Sequence, residues 1–224
     1  MKHSPDFLPE EKGTETAYRE AFESAAGQLL RNSDWKDMCL KSGARLVPNQ
    51  GNIQAILVDY LGHTCKILLP GLEFGSENDN LFSHRDRLII LHYLNTSKGT
   101  PLNNKLISFQ QLPEGSVYYP TFINRSIKPL LDNLAANPVR LFAAAGQLGG
   151  KPSQEGEFSV KINALPRVPL IFILWQGDED LPPAGNILFD MTVTDYLPTE
   201  DITVLCEITA WKLVRLASQP GLKL

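Results

Sequence analysis

The chain has 224 residues, 43% of them hydrophobic and 21% charged, with a net charge of -4. That length buries a sizeable core without covalent staples, and the acidic balance without clustered Lys and Arg excludes a nucleic-acid surface. The longest apolar run, Leu170 to Trp175, is far short of the ~20 residues a membrane helix needs, so no membrane contact is expected.

Residues 1–13 read as a flexible N-terminal arm, polar and lacking the apolar stretch of a signal peptide. A helix is predicted from Thr14, because Tyr18, Phe22, Ala25 and Leu29 recur on one face of a 3.6-residue period. A short helix, Asp34 to Lys41, should stop at Gly43. The period then changes. Ala44 to Val47, Ile53 to Tyr60 and Thr64 to Leu69 are rich in aliphatic and β-branched residues, and Leu61-Gly62-His63 reads as a hairpin turn. Pro70-Gly71 ends that unit. Ser83 with Asp86 three residues on predicts a capping box for a helix reaching Ser97.

A short strand is expected over Lys105 to Phe109, then helices over Thr121 to Ala135 and Val139 to Leu148. Strands follow at Phe158 to Ile162, Leu170 to Trp175 and Ile187 to Phe189, and the last helix runs from Glu200 to Ala217. Hairpins mixed with separated helices give an α+β class: a single mixed domain over 14–224, with an antiparallel-rich sheet and packed helices. A domain boundary near 75–82 is the alternative.

Cys39, Cys65 and Cys206 form no C-x-x-C, so neither a zinc ribbon nor an iron–sulfur cluster is expected. An odd cysteine count without a signal peptide points to reduced thiols and a cytoplasmic protein. Gly146 to Pro152 resembles a phosphate loop only superficially, since it follows a helix and lacks Gly-Lys-Ser/Thr. There is no G-x-S-x-G nucleophile elbow, and Cys206 falls mid-helix on an apolar face.

Four features remain as candidates. Asp178, Glu179 and Asp180 form an acidic loop, and Asp190 ends the next strand; together they are a candidate metal site, because hard cations take several carboxylate oxygens. The competing reading is a solvated turn. Arg167, between Pro166 and Pro169, should occupy an edge or entry segment and present its guanidinium to a carboxylate, either on a ligand or, as an internal pair, in that loop. His84 and His92, on one helix and about 12 Å apart along it, cannot share a metal, but either is a candidate axial ligand to a haem or corrinoid. His92 has Leu88, Leu91 and Leu94 around it; a buried histidine bonded to backbone is the alternative. Finally, the last helix carries a second apolar stripe, Val204, Ile208 and Trp211, covered either by an N-terminal segment of the chain or by a homodimer or redox-protein partner.

The strings Leu165-Pro-Arg-Val-Pro, Ile173-Leu-Trp-Gln-Gly-Asp-Glu-Asp-Leu-Pro, Ile187-Leu-Phe-Asp and Tyr196-Leu-Pro-Thr-Glu-Asp, with Leu91-His-Tyr-Leu, together resemble a prokaryotic domain family of unknown function. The resemblance covers residues 15–217. Some relatives carry an added N-terminal iron–sulfur domain similar to that of corrinoid iron–sulfur proteins, which implies anaerobic one-carbon or corrinoid metabolism. The family supplies no catalytic residues to carry over. The resulting expectation is a non-catalytic ligand-binding or accessory protein of anaerobic redox metabolism, with a tetrapyrrole as ligand. The rivals are a metal-dependent enzyme built on Asp178 to Asp180 and a pure interaction module.

Overall fold

The computed structural model describes residues 14–49, 54–75 and 81–219, so the expected N-terminal arm lies outside the described residues. The chain opens with two helices, α1 (Thr14–Arg31) and α2 (Trp35–Ser42). Asp34 caps α2 by accepting from the Asp37 amide, and Gly43 closes it in the left-handed region at φ 73°. An antiparallel meander follows: β1 (Arg45–Pro48), β2 (Gln54–Tyr60), β3 (His63–Leu69) and β4 (Glu73–Gly75), in that spatial order. The turn between β2 and β3 is Leu61-Gly62, both residues at positive φ, with Tyr60 paired to His63.

Helix α3 (His84–Thr96) begins with the expected capping box between Ser83 and Asp86. A second antiparallel sheet is made of β5 (Leu106–Ser108), β6 (Lys151–Pro152), β7 (Phe158–Leu165), β8 (Val168–Trp175) and β9 (Ala184–Asp190), ordered β5-β9-β8-β7-β6. Between β5 and β6 run α4 (Gly115–Phe122), a π-helical turn (Ile123–Ile127), α5 (Lys128–Leu134) and α6 (Arg140–Gln147). Helix α7 (Thr199–Ala217) ends the described chain.

Strand β8 is central and buried along almost its whole length, as its apolar sequence requires of a strand covered on both faces. Arg167 thus lies in an entry segment, one of its two expected placements, but the strand it enters is central and not an edge. Pro166 and Arg167 form the tight β7–β8 turn, and Pro169 sits opposite Asn163, where the register slips by a bulge. A proline is accommodated at a bulge because a ladder hydrogen bond is already missing there. The two sheets meet at β2 and β7, joined by the Leu61 amide donating to the Ala164 carbonyl at 3.0 Å. One continuous buried cluster spans both sheets and the helices, so the mixed α+β class holds, with two antiparallel sheets instead of one.

Helix α7 packs against α3, α5, α6 and the π-helical turn. Ile208 is buried, and Val204 and Trp211 are half-buried against the core. Its second apolar stripe therefore packs in part on the core of the same chain, with Val204 and Trp211 keeping partial exposure. Among the described residues no helix is long and apolar enough to cross a membrane.

Candidate functional site

Antiparallel pairing separates the acidic residues that the sequence placed close together. Strands β8 and β9 pair from Leu170 opposite Phe189 to Trp175 opposite Ala184. The loop bearing Asp178, Glu179 and Asp180 joins one end, and Asp190 lies at the other. Six strand steps at ~3.3 Å put roughly 20 Å between them. Asp178 folds its own loop, accepting from the amides of Asp180 and Leu181 at 2.9 and 2.8 Å, which holds its carboxyl below the ordinary range. Glu179 and Asp180 are exposed.

Asp190 is 3% exposed and accepts from the amides of Asn104 (2.7 Å), Thr192 (3.0 Å) and Asn103 (3.4 Å), and from the Thr192 hydroxyl at 2.7 Å. Burial pushes its carboxyl up, but these bonds win and hold it below the usual carboxylate range. Its oxygens are committed to tying two turns together. The structure does not gather Asp178, Glu179, Asp180 and Asp190, and among the described residues no group of three or more His, Cys, Asp or Glu is placed to hold a metal ion.

Arg167 lies in the β7–β8 turn, at the end of β8 away from the acidic loop, so the expected pairing with it does not form. Its amide donates instead to the Tyr93 hydroxyl at 3.1 Å, and that hydroxyl donates to the Ser42 carbonyl. The cysteines are all free and buried, and burial pushes the Cys39 and Cys65 thiols up to about 11 and about 12.

The polar groups that do converge lie between α3 and α7, which run antiparallel. Arg85 reaches Glu207 at 2.7 Å, Lys212 approaches Asp86 at 3.4 Å, and His92 Nδ1 meets Asp201 Oδ2 at 2.8 Å. Asp86 also accepts from the Tyr60 hydroxyl (2.7 Å) and from the Ser83 hydroxyl and amide (2.7 and 2.8 Å). Burial first, and then the Asp86 charge, push the Tyr60 phenol well above its ordinary value, so it stays a proton donor. The sequence reading missed Tyr60, Asp86 and Glu207 as a network. The signal in the sequence is that the charged residues Glu207, Lys212 and Arg215 interleave with the second apolar stripe of α7.

His84 is exposed in the first turn of α3. His92 is different: its side chain is 31% exposed and Asp201, 11% exposed, lies beside it. Leu91 and Leu94 turn into the core on other faces of the helix, and Leu88, one turn before His92 on its own face, is buried too, so His92 stands at the border of the core. Its ring bonds to a carboxylate and not to backbone. The hydrogen bond to Asp201 raises its pKa above the ordinary value, outweighing burial, with the Asp201 and Glu200 charges adding to the effect. An ionised Asp201 only accepts, so Nδ1 carries the proton and Nε2 of the neutral ring keeps a free lone pair. No described residue bonds to Nε2.

Asp201 owes its place to the first turn of α7, where the helix dipole favours an anion. Thr199 lies within the first turn of this helix; Pro198 occupies the cap position, and the Thr199 hydroxyl donates to the Pro113 carbonyl at 2.8 Å.

The chain belongs to the family described as domain of unknown function (DUF3786), whose model matches residues 34–211. No curated protein and no solved structure matches it.

Proposed function

We propose that this protein is a binding or accessory protein of anaerobic redox or one-carbon metabolism that presents His92 Nε2 to the metal of a tetrapyrrole, a corrinoid or a haem. One observation carries the reading: His92 Nδ1 is held at 2.8 Å by Asp201 across the α3–α7 contact. Metal-ligating histidines characteristically donate their other ring nitrogen to a carboxylate, which fixes the ring and strengthens the ligand. A single oriented imidazole suits a metal whose remaining positions are filled by the ligand itself, and a corrin or porphyrin ring supplies four such donors. A bare divalent ion would want several protein oxygens or nitrogens at one point, which favours this reading over a metal enzyme built on the acidic loop.

The bound group would supply the redox or alkyl-carrying chemistry of its metal. Asp201 would orient the imidazole and offset positive charge at the metal, with Glu200 adding to that field. The cavity of about 150 Å3 farther along α7 is lined by other residues and is too small for a macrocycle.

The test is a titration of ferric haem and of aquacobalamin into the purified chain, followed in the visible spectrum. A saturable 1:1 change with the bands of an imidazole-ligated metal is the expected result for one of them. Non-saturable spectra with both would overturn the reading.

A further inference from the structure

A second concave site lies at the other end of α7. The turn between β2 and β3 packs against the end of α6, leaving a cavity of about 150 Å3 lined by Tyr60, Leu61, Phe82, Leu148, Lys212 and Arg215, among others. Gly62 makes this fit possible: at φ 80° a Cβ there would come within 2.7 Å of the Leu148 carbonyl carbon. Leu61, Phe82 and Leu148 are buried and give the cavity an apolar floor. Its wall is cationic.

Lys212 is half-withdrawn from solvent, at 22% side-chain exposure, yet it approaches both Asp86 oxygens only at 3.4 Å. Asp86 already holds three shorter bonds from Tyr60 and Ser83, so it does not need the ammonium. Lys212 has three N–H donors, and Asp86 takes them only at 3.4 Å, which leaves the ammonium able to meet a second anion. It also sits five residues before the end of α7 at Ala217, beyond the last turn where the helix dipole by itself accounts for a cation. Arg215, one turn on, is exposed and has no ion pair among the described residues.

We propose that this cavity binds a small organic monoanion, a carboxylate carrying a compact apolar body. Charge sets the sign: Lys212 and Arg215 line the cavity with His63 and without a lining Asp or Glu, so the head is an anion. Size sets the body, because apolar cavities of about this volume accept a benzene-sized group. The head meets Lys212 and Arg215, whose guanidinium fork matches a carboxylate, and the body rests on Leu61, Phe82 and Leu148. Lys212 lies about 16 Å along α7 from Asp201, so this site and the His92 site stand or fall separately.

Calorimetric titration of the full chain with benzoate, acetate, inorganic phosphate and neutral benzamide tests the assignment. Benzoate should bind saturably at 1:1, acetate and benzamide more weakly, and phosphate weakest. Arg215→Gln and Lys212→Met should each weaken benzoate about tenfold, whereas Lys36→Gln on α2 should leave it unchanged. Arg215 is exposed, so its variant keeps the fold even if Lys212→Met does not. Absence of saturable benzoate binding would overturn the proposal. So would phosphate binding more tightly than benzoate, or benzoate affinity unchanged by Arg215→Gln.

Discussion

The tip of the β8–β9 hairpin and the contact between α3 and α7 are both rich in carboxylates, yet only one is a constellation. At the tip, Asp178, Glu179 and Asp180 are adjacent in sequence and open to solvent, and Asp178 accepts from the loop's own amides. Between the helices, Asp86, Asp201 and Glu207 are buried, and each meets a cation or donor from a segment roughly a hundred residues away. Adjacent charges repel and stay wet, whereas charges facing each other across a helix pair can leave water only as partners. Density of acidic residues along the chain is therefore a poorer guide to a site than their place on a buried face.

The largest expected effect separates these regions directly. Glu207→Ala leaves the Arg85 guanidinium, 17% exposed, without its carboxylate, and should cost about 3–5 kcal/mol in urea denaturation. The double variant Asp178→Asn with Asp180→Asn should unfold at essentially the wild-type urea midpoint, and Mg2+ or Ca2+ should leave both melting curves in place. A large loss at the hairpin tip, or a metal-dependent rise in wild-type Tm, would break the contrast.

Asp190 comes next. Asp190→Ala leaves three backbone amides and a hydroxyl without their acceptor and should cost about 3 kcal/mol. Its folded pKa is lowered, so its contribution is present above the ordinary value near 3.9 and is lost as pH falls through the folded value. Asp190→Asn should accordingly flatten the acid limb of the stability profile, measured from pH 5 down to 2. An acid limb identical to wild type would count against this account of Asp190.

The smallest effect belongs to His92. Its folded pKa is raised, so the stabilisation from Asp201 is complete below the ordinary histidine value near 6.5 and is lost as pH rises through the folded value. The stability gap between wild type and Asp201→Asn should be up to about 1 kcal/mol at pH 5.5 and should narrow by pH 9. A gap that widens with pH would contradict the pairing.

Much of the fold was legible because it is local. Ser83 and Asp86 announced the start of α3, Gly43 the end of α2, and Leu61-Gly62 the β2–β3 turn, since caps and turns are decided by a few neighbouring residues. Pro169 misled because a proline argues against a central strand unless a bulge meets it, and that bulge is made by Asn163 and Leu165 of the partner strand. Helix α4 starts at Gly115, ahead of the expected Thr121, because Tyr119-Pro120 reads as a break, whereas the chain passes through Pro120 into a π-helical turn.

The candidate site was half legible. His92 stood out by residue type and Asp201 by its place at a helix start, but their meeting depends on the packing of α3 against α7, 109 residues apart. The grouping of Asp190 with the acidic loop failed for a geometric reason: antiparallel strands return the chain, so the far end of β9 lies beside the start of β8 and not beside the loop.

The central claim is that Asp201 aims His92 Nε2 at a metal carried by a tetrapyrrole. Its most direct test is the visible spectrum of whichever of haem or cobalamin binds, recorded in wild type, His92→Ala and Asp201→Asn under identical titration. The account predicts that His92→Ala loses the imidazole-ligated bands, that free imidazole restores them, and that Asp201→Asn keeps the bands while affinity falls by about 10- to 100-fold. A His92→Ala protein that binds with unchanged spectrum and affinity would contradict it.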